Sequence, residues 1–239
     1  MNEERLYQLI NEKEQTAKVA FPALLRKVYV WMTLALVITA MTAYGVASSP
    51  GLISAVITNK ILFWGVIIAE LALVFTVSSR IGRLSLPTAT LLFVLYSVLN
   101  GITLSVIFIA YTLSSIASVF FITAGTFAAM ALIGYFTKSD LSSLGKILMM
   151  AVVGLIIATV VNAFLLKSGG FDLILSYAGV LIFTGLTAYD SQKIKMMLVE
   201  ADDVSEEAQK LALLGSLTLY LDFINLFLYL LRIFGGNRD

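Results

Sequence analysis

The sequence predicts an all-α integral membrane protein of seven transmembrane helices. Three observations point that way. Hydrophobic residues make up 59% of the 239, and charged residues only 13%, where soluble domains are about 25% charged. The apolar residues gather into seven runs of about the 20 residues that a helix needs to cross the hydrocarbon core. Within those runs polar and apolar residues do not alternate with the period of two that a membrane β-barrel requires. The chain also has no cysteine and no histidine. Disulfides, thiol nucleophiles, imidazole acid–base chemistry and the Ser-His-Asp arrangement are therefore excluded. With 16 basic against 15 acidic residues and no basic run, there is no electrostatic footprint for nucleic acid.

The elements follow in order. Residues 1–27 form an N-terminal tail with charges of both signs and no apolar core, unlike a cleaved signal peptide. Within it, Leu6, Leu9, Ile10 and Lys13 have the spacing of a short helix lying on the membrane surface. The spans are expected at 28–47, 61–79, 88–111, 115–136, 147–166, 173–192 and 211–231, making 28–234 the membrane domain and 235–239 a C-terminal tail. A turn at Ser48, Ser49, Pro50 and Gly51 ends the first span. Arg80 to Arg83, with Pro87 beyond, separates the second from the third. The connection between spans three and four is short enough for an antiparallel helical hairpin. Residues 167–170, Lys-Ser-Gly-Gly, divide five from six, and residues 191–210 form an acidic loop before the last span. Twelve of the sixteen basic residues flank the spans on the side of the N-terminus. By the positive-inside rule that side is cytoplasmic and the C-terminus is outside.

Three acids lie within the expected spans, Glu70, Asp190 and Asp222, and no lysine or arginine does. An ionisable group at that depth costs several kcal/mol, about 2.5–3.5 even on the insertion scale, and so marks a functional position. Asp222 is near the middle of its span, roughly 16 Å along at 1.5 Å per residue. Gly215, Thr218, Asp222, Asn225 and Tyr229 recur every three or four residues and share one helical face. That polar stripe fits either a helix–helix hydrogen-bond seam or an ion and proton path. Asp190 ends the sixth span. If the sixth helix runs on through Met196 and Met197, Asp190 moves inward, where a pair with Asp222 would share one proton. Glu70 has no polar companion on its own helix, so its partner must come from elsewhere, with Asn100 and Asn162 as candidates by type.

The segments that carry these acids are distinctive. Residues 217–235, LTLYLDFINLFLYLLRIFG, resemble the C-terminal signature of the transmembrane Bax inhibitor motif (Bax inhibitor one) family. Residues 185–195, GLTAYDSQKIK, are similar to its sixth-helix motif, and 99–105, LNGITLS, and 134–145, GYFTKSDLSSLG, to its third-helix and fourth-loop patterns. The likeness covers all seven spans and is greatest to bacterial members. It implies a last helix at the centre, wrapped by six others, and a pH-sensitive calcium leak. It implies a paired Asp190 and Asp222 as pH sensor and gate, weakly and transiently binding calcium, and Glu70 as the buried acid of helix two. It also implies a basic latch for Asp190, a part that Arg80 or Arg83 could take.

From this follow the remaining expectations. The protein is a non-enzymatic channel of the bacterial inner membrane, without a resident cofactor, with calcium and protons as its ions and lipid as its surroundings. Asn225 joins Glu70 in the ion path. Two or three carboxylates fall short of the six to eight oxygens of a tight calcium site, which suits passage. The alternative is a non-conducting regulator that binds another membrane protein, such as a membrane-bound protease or a cell-death component. An aspartyl intramembrane protease is disfavoured, because Asp222 follows Leu219-Tyr-Leu where a Gly-Xaa-Gly context belongs. A light-driven pump would need a lysine within the last span, and 211–231 has none.

Overall fold

The computed structural model describes residues 3–201 and 203–236, with the backbone alone for 3, 4 and 6–18. It is helical throughout, with no strand among the described residues. The order is α1 (Glu3–Ser48), α2 (Pro50–Thr58), α3 (Lys60–Arg80), α4 (Leu86–Leu104), α5 (Ile107–Ala110), α6 (Leu113–Phe136), α7 (Ser142–Val161) with a π-helical turn (Asn162–Leu166), α8 (Gly169–Val199) and α9 (Glu206–Phe234). Seven stretches are long and apolar enough to span a membrane: Val19–Ser48, Lys60–Arg80, Leu86–Ala110, Leu113–Phe136, Ser142–Leu166, Gly169–Val199 and Glu206–Phe234. Large apolar side chains such as Ile61, Phe121, Leu165 and Leu181 are exposed along them. Water would drive such surfaces together, whereas lipid solvates them. The protein is an all-α integral membrane protein.

Three expected boundaries move. The turn at 48–51 shrinks to Ser49, and Pro50 opens the short helix α2, as proline does well at a first helical position. The expected surface helix is continuous with the first span in α1, passing Pro22 without a break; the side chains at 6–13 lie outside the described residues. α8 runs seven residues past the expected end of span six, so most of the acidic loop is helical and only 200–205 connects α8 to α9. Conversely, span three is interrupted at Ser105 and Val106.

The chain divides into two compact units. The first comprises Met1–Leu104 and Ile194–Leu217. In it α1 packs on α4, where Thr39 donates to the Ser97 carbonyl at 2.9 Å. Gly101 allows the close approach: a Cβ there would lie 2.7 Å from the Thr39 carbonyl oxygen. The start of α9 clamps the turn before α4, Glu206 accepting from the Leu86 N–H at 2.9 Å and Lys210 donating to the Leu84 carbonyl at 3.3 Å.

The second unit comprises Ser105–Lys193 and Thr218–Asp239. Phe120, Phe127, Phe223 and Phe227 form an edge-and-tilt cluster between α6 and α9, with centroids 5.4–6.3 Å apart. Gly134 lets α6 reach α8, since a Cβ there would run into the Ala188 carbonyl oxygen. At the far end Arg232 pairs with Asp172 at 3.6 Å. The last span is the most enclosed of the seven, with 67% of its most apolar window buried against 11–39% in the others.

Candidate ion and proton site

Asp190 and Asp222 meet in the second unit. Asp190 is nine residues from the end of α8, about 14 Å inside it at 1.5 Å per residue. The extension of α8 to Val199 is what places it there. Local packing fixes that stretch of helix. Tyr189 lies flat against Gly145, where a Cβ would come within 2.5 Å of the ring. Gln192 accepts from the Leu141 N–H at 2.9 Å and donates to the Ser139 carbonyl at 2.8 Å, pinning α8 to the turn before α7. Asp222 comes from the middle of α9, beside the buried Phe223.

The two carboxyls lie close enough to act on each other. Both are buried, at 7% and 4% exposure. One oxygen, Asp222 Oδ2, is buried without a hydrogen-bond partner, a state that native proteins rarely leave unexplained. A carboxyl–carboxyl hydrogen bond needs one proton between them, because an ionised carboxylate only accepts. The pair opens onto a cavity of about 420 Å³. Thr218, Asn225 and Tyr229 of the α9 stripe line it, together with Tyr189 and Lys193 of α8 and the apolar Met149, Val152, Leu155 and Ile156 of α7. Asn225 donates to the Leu221 carbonyl at 2.8 Å, a bond that makes no use of its side-chain oxygen. Tyr229 stacks on Phe183 at 5.8 Å and lies under the Arg232 guanidinium.

Two sequence expectations change here. Gly215 shares the face of the stripe but lies in the first unit, against Ile194, and does not line the cavity. The aspartates are also not without a base, since Lys193 is in the cavity wall, its ammonium 5.8 Å above the Tyr189 ring. Its three-residue spacing from Asp190 on one helix face was the available signal. It was missed because span six was ended at 192. Thr187, a turn before Asp190, spends its hydroxyl on the Phe183 carbonyl at 2.8 Å.

Glu70 belongs to the first unit, half-buried on α3. Thr103 donates a short hydrogen bond to Oε1 and Asn100 donates to Oε2 at 3.4 Å. Of the two expected asparagines, Asn100 is thus the partner. Asn162 instead closes the turn after the π-helical segment, exchanging bonds with the Ser168 backbone at 3.1 and 3.2 Å. Thr103 was legible as the residue one turn beyond Asn100. Arg80 ends α3 and Arg83 lies in the turn beyond, both exposed in the first unit. Among the described residues, no three acidic side chains cluster as a metal site.

Residues 22–239 match the family described as inhibitor of apoptosis-promoting Bax1. The chain belongs to this family. It is 52% identical over 214 residues to the inner membrane protein YbhL of Escherichia coli, covering 89% of this chain and 91% of that one. It is 45% identical over 215 residues to a Borreliella burgdorferi protein, with 90% and 92% covered. A membrane protein of Streptococcus pyogenes is 41% identical over 186 residues, with 78% and 80% covered. The resemblance stated from residues 99–105, 134–145, 185–195 and 217–235 therefore holds across the membrane domain. As a member of the Bax inhibitor family the chain is a membrane protein, and its relatives bear no enzymatic name.

Proposed function

We propose that the protein is a pH-sensitive calcium leak channel of the bacterial inner membrane, gated by the Asp190–Asp222 pair. The observation that carries this reading is the carboxyl pair of Asp190 and Asp222, buried beside one cavity, with one carboxyl oxygen left unpartnered. With one proton between them, the two side chains hold α8 to α9. Loss of that proton leaves two like charges in contact in a low dielectric, which drives them apart. The same loss supplies the negative charge that a hard cation needs. Two carboxylates with Asn225 offer fewer oxygens than tight calcium binding takes, which favours release over storage. Glu70 is a second station of the path. Arg80 or Arg83 competes for the ionised Asp190 and biases the same two-state element. The N-terminus is cytoplasmic and the C-terminus outside.

The test is calcium entry into proteoliposomes holding the purified protein and an entrapped indicator, followed across neutral pH. Flux that rises or falls with pH in the natural protein, and is flat in Asp190→Asn and Asp222→Asn, is the expected result. Unaltered flux–pH curves in both variants would discard the gate. Absence of flux at every pH would discard the channel and favour the non-conducting regulator.

A further inference from the structure

The cavity beside the aspartates is too large and too apolar for its only occupant to be a calcium ion. Six inner-shell waters occupy about 180 Å³ at about 30 Å³ each, less than half of the 420 Å³ present. Its wall on α7 is Met149, Val152, Leu155 and Ile156, with no polar group among them. Opposite stands the stacked pair of Phe183 and Tyr229, 5.8 Å between centroids and 23° between planes. A cavity in the range of about 300–1,000 Å³, apolar with a few convergent polar groups, has the character of a small-molecule site. The polar end supplies the missing specification. Asp222 Oδ2 is a buried acceptor in need of a donor. The remaining titratable groups of the lining are Asp190, Lys193, Tyr189 and Tyr229, and α7 contributes none.

We propose that this cavity binds an organic ammonium ion with an apolar or aryl body. The ammonium donates to Asp222 Oδ2, and the body lies between the α7 side chains and the Phe183–Tyr229 pair. Charge balance fits a monocation. With both carboxylates ionised and Lys193 charged, the lining carries one net negative charge, which a single ammonium neutralises. In the leak reading, on which this last consequence rests, the bound amine also occludes the path and lowers calcium flux.

The probe is 2-phenylethylammonium, titrated by calorimetry into the purified full-length protein in detergent. 2-Phenylethanol is the neutral control of matching shape. The ammonium ion should bind about tenfold or more tightly than the alcohol, as a charge-assisted hydrogen bond outweighs a neutral one. Asp222→Asn should abolish the preference for the charged ligand. Ile156→Trp fills the cavity from a lipid-exposed position and should abolish binding with the aspartates intact. Equal affinity for amine and alcohol, or binding unaltered in Ile156→Trp, overturns the proposal. Calorimetry does not depend on conduction. A protein that leaks calcium but ignores the amine sinks this inference alone, whereas one that binds the amine but passes no calcium sinks only the channel.

Discussion

The molecule holds buried acid in two places, and they are built on opposite principles. Glu70 is a single carboxyl with a donor for each oxygen, Thr103 on one and Asn100 on the other. It resembles the interhelical polar contacts that tie membrane helices together. Asp190 and Asp222 are two carboxyls that lean on each other, one oxygen unpartnered, beside a cavity with a lysine in its wall. In the first arrangement each carboxyl oxygen has a donor, and in the second one oxygen does not. An acid at membrane depth thus signals function most strongly when its hydrogen bonding is incomplete.

Three experiments separate the two sites and a fourth lies outside both, from the largest effect to the smallest. Asp222→Asn should remove the pH dependence of flux altogether, while Glu70→Gln should keep its shape, because the amide oxygen still accepts from Thr103. A flat flux–pH curve in Glu70→Gln would place the sensor at the wrong acid. Glu70→Leu should instead destabilise the first unit by about 2 kcal/mol, since two partly buried donors lose their acceptor. Thermal unfolding in detergent reads this, and Glu70→Gln should recover most of the loss.

Lys193→Met comes next. Removing the positive charge from the cavity wall should lower the calcium concentration for half-maximal flux by roughly threefold, the factor of a partly exposed ion pair. Lys193→Arg should leave it within that factor of the natural value. No change in Lys193→Met would mean that its ammonium does not act on the aspartates.

The smallest effect lies outside the membrane. The side chain and backbone N–H of Ser142 hold the Asp140 carboxyl below the usual carboxylate range. A lowered carboxylate adds stability that is complete above its unfolded value and is lost as pH falls through the folded one. Melting temperatures of Asp140→Asn and the natural chain should therefore converge in acid and differ slightly at neutral pH. A constant difference at every pH would show that the bond to Ser142 does not depend on charge.

Much of this was legible from residue type and spacing. The seven spans, the three acids within them and the short list of Asn100 and Asn162 as partners for Glu70 needed no coordinates. Span length and amphipathic spacing are local properties that the bilayer makes obligatory. The extension of α8 was legible only as one of two alternatives, because Lys193 and Lys195 read as a solvated turn when hydropathy is summed along the chain. A helix continues through charged residues wherever its backbone bonds are retained and the charges reach water, which hydropathy does not register. Lys193 was missed for that reason, and Thr103 because a threonine one turn from Asn100 is not unusual as a residue type.

The sequence by itself determined a seven-helix membrane protein with an excess of acid in its interior and no histidine to share the work. Those follow from composition and from periodicities set by helix geometry. Tertiary structure decided which acids are partnered. Gly145 against Tyr189 and Gln192 against the 139–141 turn set how α8 lies in its unit. That placement, a matter of close packing between distant segments, brings Asp190 to Asp222, leaves Asp222 Oδ2 without a donor and opens the cavity that they share.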